Sequence, residues 1–390
     1  MTILSDPKTV SESSARAPDA RTLEATPGVL TIDLDAIAAN WKTLESRAIP
    51  AECAAVVKAD AYGCGLPQVT HRLVAAGCKT FFVATLDEAK AARAAAPKAA
   101  IYVLDGFFSN CGDAFAKIDA RPVIGDLGEL AEWDVFRRTS GWIGSAAIQI
   151  DTGMHRLGLT PEDAQALIPR IRKGDHGISL VMSHLASAEQ LGHPANARQV
   201  AAFREIASEF SGVPASLANS SGIFLGSHFH FDVVRPGAAL YGVNPTPEAD
   251  SPMQAVINLK VRVEQIRNVP KGETAGYGGI WTARRDSRLA IVTAGYADGY
   301  FRAASGVDGT RGAEAMVAGH RCPLAGRISM DLMTIDITDV PHGAVRRGHF
   351  VTLIGDGIGV DELAHHFGTI GYEVLTSLGR RYVRIYKGEA

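Results

Sequence analysis

Cysteine is scarce. The 390 residues hold five, Cys53, Cys64, Cys78, Cys111 and Cys322, with no C-x-x-C pair. An odd number without paired spacing argues against a disulfide framework and against a structural zinc site, and it points to a reducing cytosol. His365-His366 and His228-x-His230 have no partner set at metal spacing, so they read as structural and no metal is expected. Charge of one sign is never concentrated. Lys and Arg number 39 against 42 Asp and Glu, the net charge is −3, and no basic block occurs. That balance argues against nucleic acid or an anionic membrane as partner. No apolar run approaches the ~20 residues of a membrane helix. Residues 1–27 lack the apolar centre of a signal peptide and are rich in Ser, Ala, Asp and Pro, which reads as a disordered leader.

What is present is an ordinary globular composition, 46% apolar and 21% charged, in a chain long enough for two or three domains. Leu30 to Leu34 alternates like a half-exposed strand. Asp33 or Asp35 could cap the following helix through Ile37, Trp41 and Leu44. Asp35, directly before the helical spacing, is the better placed. Apolar runs then centre near Val56, Phe82, Val103, Val123, Ile148, Leu180, Leu217 and Val233. Helical spacing fills most gaps between them, as at 66–76, 86–96, 127–138, 161–171 and 195–210. Eight strands separated mostly by helices predict a (β/α)8 barrel over residues 28–250, although the run near Leu217 is weak. The strand near residues 30–34 is assignable to the C-terminal domain instead. Pro245, Pro247 and Pro252 mark a linker, and residues 251–390 read as a mostly β domain whose one evident helix is Val360–Phe367. The fold class is therefore α/β, a barrel followed by a β-rich domain.

The polar residues worth noticing come just after the strand centres: Lys58, Asp105, Asp151 with Arg156, His184, Asn219-Ser220 and Arg235. Barrel active sites are built on that face. The chain is organised around Ala54 to Gly65, where a short apolar run delivers Lys58 to its carboxyl end, ahead of a glycine-rich turn. A half-desolvated lysine there has a lowered pKa and can act as nucleophile or base. Taken singly, each feature has a plainer reading. A lysine after a strand is more often a surface lysine. His184 is more often a satisfied core histidine. The turn Ala218-Asn219-Ser220-Ser221-Gly222 suits a phosphate, yet a capped helix start has the same sequence. Ala275-Gly276-Tyr277-Gly278-Gly279 by itself is a glycine turn with a packed aromatic.

The run Val57-Lys58-Ala59-Asp60-Ala61-Tyr62-Gly63-Cys64-Gly65 closely resembles the pyridoxal phosphate (PLP) lysine motif of alanine racemases, and the resemblance extends from about Gly28 to the C-terminus. It includes Asp151-Thr152-Gly153-Met154-His155-Arg156-Leu157-Gly158, Gly295-Tyr296-Ala297-Asp298-Gly299-Tyr300 and Gly326-Arg327-Ile328-Ser329-Met330-Asp331. The resemblance implies that Lys58 holds PLP and that Tyr277 is the second catalytic residue. It implies cofactor contacts from Lys58, Tyr62, Arg156, His184, Asn219, Ser220, Arg235, Gly237, Ala238 and Tyr372. Ser220, Gly237, Ala238 and Tyr372 would grip the phosphate, and Arg235, supported by His184, would face the pyridine nitrogen. Arg156, Met330 and Tyr296 are the implied substrate contacts. The second-domain segments would reach the barrel mouth of the other subunit in a homodimer. One departure matters. Much of the family has a carbamylated lysine two residues before the aspartate of the Asp151 motif, and here Gln149 stands there. It cannot be carbamylated, though its amide oxygen could accept an N–H from Arg156.

The activity this implies is PLP-dependent interconversion of L- and D-alanine in the cytoplasm by two bases, Lys58 and the partner's Tyr277. An arginine at the pyridine nitrogen weakens the electron sink and disfavours transamination and elimination. The alternatives are a racemase of broader specificity, a barrel-type decarboxylase, a single-domain PLP carrier, and a PLP-free barrel using Lys58 as an aldolase lysine. A D-alanine supply for peptidoglycan and a catabolic role both stay open.

Overall fold

The computed structural model of the chain describes residues 25–174 and 177–388, so all but the last three residues of the expected leader lie outside it. Among the described residues, strands Ala55–Val56, Thr80–Val83, Ala100–Val103, Arg121–Ile124, Ala146–Gln149, Ile178–Met182 and Ala215–Ser216 pair in chain order, all parallel. Val233–Val234 closes the ring. It pairs in parallel with Glu52–Cys53, and Ala54 N and Val56 N donate to Val234 O and Pro236 O at 3.0 and 2.9 Å. On its other side Arg235 N donates to Ala218 O at 2.9 Å. Parallel neighbours require crossovers, and helices such as Leu66–Ala76, Leu86–Ala95, Leu127–Ser140 and Pro194–Glu209 supply them.

Strand side chains alternate between two apolar environments, which is why these runs read as continuous rather than alternating in sequence. Val56, Phe82, Tyr102, Val123, Ala147, Leu180 and Met182 fill the barrel interior. Ala55, Phe81, Val83, Ile101, Ile148 and Val181 pack outward with the helices. Ser216 breaks the pattern. Its register partner is the inward Met182, it is fully buried, and its hydroxyl donates to Val233 O at 2.5 Å. That polar inward position explains why the run near Leu217 is weak as a strand signal.

The second domain is organised by the 13-residue strand Ile257–Val269, whose Ile257, Leu259, Val261 and Val263 are buried in alternation. Gly28–Asp33 lies between this strand, antiparallel, and Val383–Lys387, parallel. The first described strand therefore belongs to the sheet of the second domain, and the chain crosses into the barrel along helix Leu34–Ala48. Two sequence expectations need correction here. Asp33, not Asp35, caps that helix. Its extended backbone (φ −95°, ψ 99°) is what an N-cap requires, and its carboxylate accepts Ala36 N at 2.8 Å. Asp35 already lies in the first turn and pairs with Arg72 instead. The second domain also has another helix, Gly371–Ser377, after Val360–Phe367. It opens on glycine with no side-chain cap, so it carries no start signal. Packing of its buried Val374 and Leu375 sets its conformation.

The capping assignment predicts unequal effects. Asp33→Ala should cost about 0.5–2 kcal/mol of stability in denaturant melts, as a lost N-cap does. Asp35→Ala removes an exposed ion pair and should cost less than about 1 kcal/mol. Equal losses would show that Asp33 is not the cap.

Candidate active site

A cavity of about 910 Å³ opens at the carboxyl ends of the barrel strands. Lys58, Tyr62, Arg156, His184, Asn219, Ser220, Arg235, Gly237, Ala238 and Tyr372 all line it. Tyr372 arrives from the second domain of the same chain, on helix Gly371–Ser377.

Lys58 lies two residues beyond the first barrel strand and opens an unusual turn. Ala59, Asp60, Ala61 and Tyr62 all have φ between 53° and 55°, a left-handed turn built from residues with side chains. Each costs about 1–2 kcal/mol relative to the right-handed conformation, so the surroundings must impose it. Ala61 N and Gly63 N close the turn on Val57 O and Ala59 O, both at 2.9 Å. Asp60 accepts Leu66 N at 2.8 Å, and Glu88 accepts Ala59 N at 2.6 Å. The Tyr62 ring stacks on Tyr241 at 4.6 Å, while Tyr241 donates its hydroxyl to Val56 O. Gly65 completes the bend, because a Cβ there would lie 2.1 Å from the Tyr386 hydroxyl of the second domain. Burial lowers the Lys58 amine below the usual lysine range, and Arg156 adds to this, against Glu88 and Asp105.

Arg235 lies at the floor of the cavity, 4% exposed. Its Nη1 donates to Ser216 Oγ at 2.5 Å, and its Nη2 donates to Ser183 O at 2.7 Å and lies 3.5 Å from His184 Nδ1. Burial brings the guanidinium down to about 10, so it remains charged near neutral pH. Burial first, then Arg235, Arg156 and Lys58, push His184 down to about 3, so the imidazole is neutral and can accept at Nδ1. The Gln199 side chain bridges this strand end, accepting Ala186 N and donating to His184 O, each at 2.9 Å.

A small cradle lies beside Arg235. Ser220 Oγ accepts Gly237 N at 2.9 Å and Ala239 N at 3.2 Å, leaving its proton to donate elsewhere. Ala238 N, also at the cavity wall, donates to no acceptor among the described residues. A Cβ on Gly237 would sit 2.4 Å from the Tyr62 hydroxyl, so bare backbone is required here. Asn219 holds the turn by accepting Gly222 N at 2.9 Å. A hydroxyl, a free amide and backbone bare of a side chain at one spot suit an anion such as phosphate.

Arg156 projects from the loop after the fifth strand. Asp151 shapes that loop by accepting Gly153 N, Met154 N and His155 N at 2.9 to 3.1 Å. Burial opposes ionisation of Asp151, but these amides outweigh it and hold its carboxyl below the usual range. Gln149 does not brace Arg156. Its Nε2 donates to Leu157 O at 3.0 Å, and the two side chains share no hydrogen bond among the described residues.

Tyr277, Tyr296 and Met330 are not at this cavity. They are 67%, 43% and 52% exposed and lie together on the second domain. Tyr296 N and Ala297 N donate to Ser329 O and Met330 O at 3.0 Å, and Gly276 packs on the backbone of Arg327. One chain therefore brings the ten barrel-mouth residues together and leaves these three on a separate face. Sequence reading missed Glu88, Ser216, Ser183 and Gln199. The signals were present for two of them, the capping pattern Thr85-x-x-Glu88 and a serine at an inward strand position. Among the described residues, no group of three or more His, Cys, Asp or Glu could hold a metal ion, and the buried His230 bonds Ile223 O.

The neutral His184 has a consequence for pH. The unfolded imidazole protonates near 6.5, the native one only near 3, so its stabilising contribution is complete above 6.5 and is lost as the pH falls toward 3. Between about pH 7.5 and 5.5 the protein should lose about 1.4 kcal/mol more stability than His184→Asn, read from denaturant midpoints. Parallel pH curves for the two would show that His184 takes up its proton in the fold at the same pH as in the unfolded chain.

The family model "Alanine racemase, N-terminal domain" matches residues 32–245, and "Alanine racemase, C-terminal domain" matches residues 256–386. The alanine racemase of Methylobacterium sp. (strain 4-46) is 52% identical over 357 residues, spanning 92% of this chain and 97% of that one. The structure of alanine racemase from Bartonella henselae with covalently bound pyridoxal phosphate is 39% identical, with a TM-score of 0.87 over 93% of this chain and 100% of that one. Biosynthetic alanine racemase from Pseudomonas aeruginosa is 33% identical, with a TM-score of 0.85 and the same coverage. With both family models together spanning most of its length, the chain belongs to the alanine racemase family.

Proposed function

We propose that the chain interconverts L- and D-alanine with PLP held on Lys58. The observation that carries the reading is Arg235, a charged guanidinium buried at the floor of the cavity that Lys58 overlooks. The cavity fits the cofactor. Ser220, Ala238 and the bare backbone of Gly237 would take the phosphate, with Tyr62 and Tyr372 beside them, and Arg156 would meet the phenolic oxygen. When bound, PLP supplies an aldehyde carbon and an electron-accepting ring that together acidify the Cα–H of an amino acid. Arg235 offers donors only, so it would leave a ring nitrogen placed beside it unprotonated and keep the electron sink weak. A barrel-type decarboxylase needs a carboxylate at that place, where this chain holds Arg235 between Ser216 and Ser183.

Inversion of a stereocentre needs a base on each face. Lys58 Nζ, already lowered by burial, takes or returns the proton on one face. Tyr277 of a second copy serves the other. Tyr277, Tyr296, Met330 and Leu332 make one exposed, partly apolar face of the second domain, the kind of surface that marks an interface. Docked on another barrel, it brings the phenol, the Tyr296 ring and the Met330 backbone to the mouth, where Met330 N and Arg156 would hold the substrate carboxylate. The assembly is thus a homodimer with two composite sites. A reducing cytoplasm accords with free cysteines at all five positions. Among the described residues, no helix is long and apolar enough to cross a membrane.

Two measurements test this. Lys58→Ala should lose covalent retention of PLP and at least about a thousandfold in racemisation, while Tyr277→Phe should keep the cofactor and lose about 10²–10⁴ in rate. Tyr277→Phe racemising alanine as fast as the parent would refute the two-base assignment. Mixing the two inactive variants under subunit exchange should restore about a quarter of parental activity, because half the dimers then own one intact site. No recovery in verified mixed dimers would place both bases on one chain.

A further inference from the structure

Glu88 makes more contacts than its helix requires. It stands in the first turn of helix Leu86–Ala95, where its amide donates to Thr85 Oγ1 at 3.2 Å and its Oε2 accepts Thr85 N at 3.3 Å. That exchange is a complete capping box. Oε2 also accepts Ala84 N at 2.8 Å, and Oε1 reaches across to Ala59 N at 2.6 Å. One carboxylate thus ties the loop after the second strand to the residue just beyond Lys58. Ala59 is also the first of the four left-handed residues. A neighbouring pair of strands repeats the device without a lysine. Glu129, in the first turn of helix Leu127–Ser140, accepts Gly125 N at 2.8 Å and also Phe107 N. The repetition separates two roles. Both carboxylates brace loops at the barrel mouth, and Glu88 in addition pins the peptide from which the lysine side chain departs.

We infer that Glu88 is a positioning residue for Lys58, holding Ala59 N so that the left-handed turn keeps the lysine aimed into the cavity. The inference deepens the proposed function and rests on Lys58 carrying the cofactor. Geometry is the reason it matters. The amine must first hold the cofactor and then act as a base, and a misplacement of the order of 1 Å costs about a hundredfold in such chemistry. A main-chain anchor one residue away controls that placement more directly than any contact to the flexible stem. The charge of the carboxylate also, with that of Asp105, opposes the larger effects of burial and Arg156 on the amine.

The test uses purified holoenzyme of the parent and of Glu88→Ala, Glu88→Asp, Thr85→Ala and Glu129→Ala. The readouts are the visible circular-dichroism band of the lysine-bound cofactor, the rate of cofactor loss on dilution, the thermal midpoint, and kcat and KM. Glu88→Asp keeps the charge but is one methylene too short to span Ala59 N and Ala84 N, so it serves even where Glu88→Ala does not fold. Both Glu88 variants should weaken the band at least about twofold, speed cofactor loss about tenfold and lower kcat about tenfold, with KM changing less than about threefold. Thr85→Ala and Glu129→Ala should lower the midpoint and leave the band and the rate of cofactor loss at parental values. A parental band in Glu88→Asp, or an equal change in Thr85→Ala or Glu129→Ala, overturns the positioning role and leaves a helix cap. A parent with no lysine-bound band refutes the functional reading, and this inference with it.

Discussion

The site depends on a backbone conformation that its own residues disfavour. Four consecutive left-handed residues after Lys58 cost up to about 1–2 kcal/mol each, and apart from Asp60 none of Ala59-Asp60-Ala61-Tyr62 is of a type that adopts this conformation readily. They persist because three parts of the molecule converge on them. The barrel contributes Glu88 and the Tyr241 ring. The turn itself contributes its backbone bonds and the Asp60 carboxylate on Leu66 N. The second domain contributes Tyr386 against Gly65 and the Leu375 carbonyl against Gly63. The β-rich domain is thus more than an appendage, since it closes over the one turn that presents the lysine. It also adds Tyr372 to the mouth of its own barrel and displays Tyr277 on another face.

The charge distribution at the mouth results from the same packing. Lys58, Arg156 and Arg235 bring positive charge into a partly enclosed space, while His184 is kept neutral by burial and by those cations. Asp105 and Glu88 are the acidic groups whose charge raises the lysine, and Glu88 is committed to backbone amides. A phosphate-bearing cofactor and a carboxylate substrate are the complementary ligands. Arg156 is exposed and has no hydrogen bond from Gln149 among the described residues, and Gln149 secures the loop through the Leu157 carbonyl.

Much of this was legible from residue order. Apolar runs separated by helical spacing announce parallel strands because both sheet faces are covered. The polar residues just after those runs fall on the carboxyl side of a barrel wherever the strands are drawn. The motif around Lys58 and those around Arg156 and Met330 carry the family likeness almost residue by residue. The weak run near Leu217 was weak for a chemical reason, since Ser216 gives up apolar burial to hold Arg235. The cap was misjudged because Asp33 and Asp35 are equivalent in composition, and the end of a strand paired with distant residues decides between them. Helix Gly371–Ser377 left no trace in local propensity, being stabilised by what it packs on.

Residue order by itself determined the fold class, the lysine and its companions, and the family, because each rests on short-range pattern or on local chemistry at strand ends. The tertiary structure alone decided the left-handed turn, the neutral state of His184, the separation of Tyr277 from the cavity of its own chain, and the joining of the first strand to the last. These depend on contacts between residues hundreds of positions apart, such as Gly65 with Tyr386, or on desolvation that exists only once the core has closed. No local pattern encodes them, since the free energy involved comes from surfaces that meet only in the folded chain.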